Sequence, residues 1–177
     1  MAQLSIEDLL EEYERALAYT DSLWKDLSAE QVSWRPNEDS SAVGWHLVHQ
    51  AAVAHFMVRN LTAAEARLDP DLEVLADSAT PEAQRGELPD CERIDGFRAT
   101  VAGRVRFRLG AIADGSVGAP DQLRIVGIGL LTALINHEYQ HSTWIAEVRT
   151  GDLGHRSMPV PESDRLVMID GYPVMQL

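Results

Sequence analysis

Cys91 is the only cysteine, so no disulfide can close within the chain. It stands beside Pro89-Asp90 with no histidine near it in sequence, and reads as a structural or incidental thiol rather than a nucleophile. Basic residues are scarce against acidic ones: 15 Lys and Arg face 28 Asp and Glu, for a net charge of −13. That balance argues against nucleic acid, whose phosphates need a basic face. It argues equally against anionic membrane surfaces. No apolar run reaches 18 residues, so no spanning helix is expected. The opening MAQLSIEDLLEEYER carries acid where a signal peptide carries base, and the expected location is cytoplasmic. Repeats and low-complexity segments are missing too. What remains is a 177-residue chain with 45% apolar content, enough to bury one core.

Four long segments have helical period. The first runs from Ser5 to Leu27. Ser5 with Asp8 resembles a capping box, and Leu9, Leu10, Tyr13, Ala16, Leu17, Leu23, Trp24 and Leu27 form the apolar stripe. Ser28 caps a short turn, and Pro36 makes a connector of Trp34–Asn37. The second helix is expected from Ser40 or Ser41 to about Ala66, with Val48, His49, Ala52, Val53 and Phe56 inward. Residues 69 to 90 form a long connection containing three prolines. The third helix, about Asp90 to Ala113, has Ile94, Phe97, Val101, Val105 and Leu109 inward. Its Arg93, Arg98, Arg104, Arg106 and Arg108 read as a solvated face. The fourth begins near Ala119-Pro120 and runs to Thr150, where Gly151 and Gly154 stop it. Beyond it, Asp170-Gly171 between two apolar runs signals a hairpin, which Pro173 weakens to an edge strand or extended flap. The fold class is therefore all-α, a four-helix bundle over residues 1–154, with a short extended tail or hairpin over 155–177.

The chemistry gathers on the fourth helix. In LLTALINHEYQHSTWIAEVR, the stripe Leu130, Leu134, Ile145, Val148 is interrupted by His137 and His141. Four residues apart, they share one face. A hydrogen-bonded core pair and a metal pair are both open readings. A third inward histidine, His49 on the second helix, favours the metal. Three neutral imidazoles suit zinc first, with nickel or iron as alternatives, and leave a coordination position open. His46 is open among fourth ligand, general base and surface residue. His55, six residues past His49, is rotated roughly 240° away and belongs outside the site. His155 follows two glycines and is expected in solvent. Asn136 and Glu138 flank His137, each about 100° around the helix, so only one of them can easily reach the site edge, and a surface position for Glu138 is the competing reading. Glu138 is accordingly a candidate catalytic or orienting carboxylate. Trp45, Trp144 and Arg149 are candidate substrate contacts, and Tyr139 a candidate wall. The competing readings are core aromatics and, for Arg149, a helix-dipole interaction.

The segments SSAVGWHLVH (40–49) and NHEYQHSTWIAEVR (136–149) resemble the two signature helices of the DinB-like superfamily. LSAEQVSWRP (27–36) resembles the approach to the first of them. The resemblance spans roughly residues 5 to 150. It implies helices in up-down-down-up order and one divalent ion held by His49, His137 and His141. The group includes metal-dependent thiol transferases and the mycothiol-dependent maleylpyruvate isomerase. The implied function is a metal-dependent enzyme that activates a low-molecular-weight thiol, such as mycothiol, in S-transfer or isomerisation of a small-molecule substrate. The arginine-rich composition is in keeping with a mycothiol-using bacterium. Two alternatives stand beside it: a non-catalytic metal or small-ligand binding module of stress response, and a thiol-independent biosynthetic metalloenzyme. A homodimer is also implied, to which Val167–Ile169 and Val174-Met175 would contribute.

Overall fold

The computed structural model describes residues 4–62, 66–118 and 120–176. It is predominantly helical, as expected, and its elements follow from local signals. Helix α1 (Ile6–Trp24) opens on Ser5, whose Oγ accepts from the Asp8 N–H at 3.1 Å. The Asp8 carboxylate accepts in return from the Ser5 N–H, completing the capping box. Helix α2 (Ala29–Val32) repeats the device with Ser28 and Gln31. Helix α3 (Val43–Thr62) follows; its expected continuation to Ala66 crosses residues 63–65, which lie outside the described residues. Gly44 admits the close approach of α2 and α3, because a Cβ there would lie 2.9 Å from the Val32 side chain.

The long connection is not structureless. Asp69 caps a short helix α4 (Pro70–Leu75), with Pro70 in the first turn. A 3-10 turn, Glu82–Gln84, comes next. Helix α5 (Cys91–Ala113) starts at the Asp90 cap. Helix α6 (Pro120–Glu147) starts beside Ala119, which is outside the described residues. It gives way to a π-helical turn, Val148–Asp152, before Gly154 at φ +68°.

The core is where helices α1, α3, α5 and α6 meet. Helix α1 packs on α6, and α3 on both α5 and α6. The α5 stripe is buried as read: Ile94, Phe97, Val101, Val105 and Leu109. So is the α6 stripe of Leu130, Leu134, Ile145 and Val148. On α3 the phase differs from expectation. Phe56 is 58% exposed, while His55 is 1% exposed and bonded to Glu73 and Arg104. His55 does lie away from the other histidines, but in the protein interior.

Strands β1 (Leu166–Ile169) and β2 (Tyr172–Met175) pair antiparallel, Ile169 opposite Tyr172. Asp170 and Gly171 both have positive φ (50° and 88°), the backbone a two-residue hairpin turn demands. Pro173 is tolerated because residues 173 and 175 turn their backbone nitrogens away from β1. Met175 uses that direction to donate to Asn136 Oδ1 of α6 at 2.8 Å. Among the described residues, no helix is long and apolar enough to cross a membrane.

Candidate metal centre

Three histidines from two helices converge. The ligand atoms of His49, His137 and His141 lie within 4.8 Å of one another. Helix α6 supplies two because positions four apart stack on one face, and α3 crosses it to supply the third. His141 is buried and His137 half-buried.

Orientation comes from neighbours that are partly invisible in the sequence. Helix α4 ends at Leu75 and Ala76, whose carbonyls have no partner within so short a helix. Trp45 Nε1 donates to the Leu75 oxygen at 2.9 Å, and His49 Nδ1 to the Ala76 oxygen at 2.7 Å. A carbonyl can only accept, so the proton of His49 sits on Nδ1 and its Nε2 lone pair is left for a cation. Trp45 stacks on the His49 ring at 4.5 Å. The Arg85 guanidinium covers the indole at 4.0 Å. Arg85 is itself held by the Thr80 oxygen (3.0 Å), Ser41 Oγ (2.7 Å) and the Glu82 carboxylate. On the other side, His46 and His141 approach Nδ1 to Nδ1 at 2.8 Å. Trp144 meets the His141 ring edge-on at 4.8 Å, and its Nε1 donates to the Tyr172 hydroxyl at 3.1 Å. The hairpin thus reaches the site through one aromatic pair.

The imidazoles are held neutral. Burial pushes His137 down to about 4, with His49 nearby adding to the effect. Burial likewise takes His46 to about 4 and His141 to about 2, each assisted by neighbouring histidines. His49 is lowered by burial too. Three neutral rings with converging nitrogens, unable to hold protons near neutral pH, fit a divalent cation.

Several predicted site residues stand elsewhere. Glu138 is 3% exposed, and its Oε1 accepts from Thr20 Oγ1 at 2.6 Å and Arg98 Nη2 at 2.7 Å. It points into the core, behind the histidine face. Arg98 is correspondingly buried, so the α5 arginines are not all a solvated face. Asn136 holds β2 instead of a ligand ring. Arg149 is buried and paired in a fork with Asp26 (2.6 and 2.8 Å) and the Leu23 oxygen (2.9 Å). Those partners occupy the guanidinium that a substrate carboxylate would need. Tyr139 is fully buried in the core against Tyr19. His155 is half-buried and bonded to Gln31 at 2.9 Å, not solvated. The Ala76 carbonyl and Arg85 come from the long connection, whose length suits part of a pocket rim, but no local pattern singles out either residue.

Beside His49 runs a groove of about 510 Å³ whose lining combines Ala52, Val53, Phe56 and Val74 with the charged Arg59, Arg67, Glu73 and Asp77. The model of the DinB superfamily matches residues 12–145. The chain belongs to the DinB superfamily. None of the curated proteins matches it.

Proposed function

We propose that this protein is a divalent-metal-dependent enzyme that activates a low-molecular-weight thiol for S-transfer or isomerisation. The observation that carries the reading is the convergence of His49, His137 and His141 as neutral donors with no fourth protein ligand beside them among the described residues. Structural zinc is normally closed by four ligands, whereas catalytic zinc keeps a position open. In this reading zinc is the first expectation, ahead of nickel and iron. The four long helices form an up-down-down-up bundle over residues 1–154, with 155–177 as a tail packed upon it. The protein works in the cytoplasm on a small molecule, without nucleic acid, as a homodimer.

A bound divalent ion would lower the pKa of a thiol so that thiolate forms near neutral pH and attacks an electrophilic carbon. The chain's own residues do the rest. His49, His137 and His141 hold the ion. Trp45 and Trp144 wall the site and limit water. Arg85 fastens Trp45 from outside. Glu138 and Arg149 act at a distance, by locking α6 against its neighbours. The groove beside His49 offers apolar surface for the organic part of the electrophile.

Elemental analysis of protein purified without chelator tests the first step, with one divalent ion per chain expected. A conjugation screen with mycothiol, bacillithiol, glutathione and cysteine tests the second. Metal without turnover of any thiol would point to the binding module or the thiol-independent enzyme. No metal at all would end the proposal.

A further inference from the structure

His46 is neither a ligand in the donor group nor a surface residue. Its ring is enclosed by Trp45 at 5.4 Å, Trp144 at 5.5 Å and His141 at 5.1 Å. The group of nitrogens within 4.8 Å of one another does not include it. Its Nδ1 lies 2.8 Å from Nδ1 of His141. Between two neutral imidazoles only one of those nitrogens can carry the proton.

The two placements differ in consequence. If His46 donates, the lone pair of His141 Nδ1 is used, and its proton sits on Nε2. That tautomer offers nothing to a cation. If His141 donates, its Nε2 lone pair is left for a cation shared with His49 and His137, and His46 carries its own proton on Nε2. We infer that His46 is a positioning residue: it accepts from His141 Nδ1–H and thereby selects the ligating tautomer and ring orientation of His141. This rests on the metal reading of the three-histidine group.

The role matches that of the Ala76 carbonyl toward His49. Each ring is oriented by an acceptor on its Nδ1, one from main chain and one from a side chain. The acceptors differ in kind. A carbonyl can never donate, whereas His46 can accept or donate according to its tautomer.

The test compares His46→Leu, which fills the volume without an acceptor, with His46→Asn, whose Oδ1 stands close to where Nδ1 was. Zinc affinity is measured by chelator competition. The leucine variant should bind about 10–100-fold more weakly, with the asparagine variant recovering most of the loss. Nitrogen-15 NMR of the metal-free parent should show His141 protonated on Nδ1. Cobalt-loaded parent and His46→Asn protein should share one visible spectrum, because the coordination set is unchanged. A spectrum that changes with His46→Asn, or an affinity indifferent to His46→Leu, overturns the positioning role alone. So does His141 protonated on Nε2, a result the parent supplies even if the leucine variant fails to fold. A parent that takes up no zinc instead brings down the metal reading beneath it.

Discussion

Helix α6 carries two polar pairs at four-residue spacing, offset by one position, and they behave oppositely. Glu138 and Ser142 face the core. Thr20 Oγ1 bonds both side chains at 2.6 Å, Arg98 pairs with Glu138, and Gln50 donates to the Glu138 carbonyl at 2.8 Å. His137 and His141 face the site, where their rings pack against each other and against His49 at centroid distances of 4.5 to 5.1 Å. A buried carboxylate with a cation of its own is finished structure. Neutral rings that offer lone pairs to one another, with no donor between them among the described residues, suit a cation. Burial of polar groups therefore does not by itself mark function; the direction in which their partners lie does.

That contrast can be broken from either side. The largest effect is expected from His137→Ala with His141→Ala, which should reduce bound metal from one equivalent per chain to none. The metal-free double variant should unfold at a urea midpoint close to that of the parent. Next is Arg98→Leu, which leaves Glu138 buried without its cation. Such losses cost about 3–5 kcal/mol, to be read from urea unfolding with metal removed. Loss of metal with stability intact for the first, and of stability for the second, would keep the two faces distinct; the reverse would merge them.

A smaller effect sharpens the same point through pH. The unfolded chain takes up protons at the ordinary histidine pKa near 6.5, while the folded rings resist until about 4 at His137 and His46 and about 2 at His141. The unfolded state thus binds more protons between 6.5 and 4. Stability is complete above that window and falls as pH drops through it, by about 1.4 kcal/mol per pH unit for each proton taken up. Urea midpoints of chelated protein from pH 7 to pH 4 should show the decline, and a shallower one for the His137→Ala, His141→Ala variant. The smallest effect belongs to Tyr139→Phe. The Tyr139 hydroxyl is buried without a partner among the described residues, so its removal should leave stability unchanged or raise it by up to about 1 kcal/mol in thermal unfolding.

The histidine face of α6 was readable because it interrupts a stripe of large apolar residues, and the stripe sets the phase of the helix. The α5 core, the Ser5 box and the Asp170-Gly171 turn were readable for similar local reasons. Helix α3 was not. From Val43 to Val58 it is apolar almost all the way round, so no polar face fixes its rotation. Its apolar pattern points His49 to the site but also points Phe56 inward and His55 outward, whereas the folded helix exposes Phe56 and buries His55. The fates of Glu138, Arg98 and Arg149 depended on partners 40 or more residues away in sequence, which no local pattern encodes. The hydrogen bonds of Ala76 and His46 to the ligand rings likewise join residues 27 and 95 positions apart.

The Ala76 oxygen has one further consequence. A main-chain carbonyl survives every substitution at its own position. Provided α4 keeps its length, the orientation of His49 is thus shielded from point mutation. The orientation of His141 hangs on a side chain that a single codon change can replace. Descendants of this sequence could therefore retune the centre at position 46 while its other half stays as it is. The two orienting contacts divide the centre into an inherited part and an adjustable one.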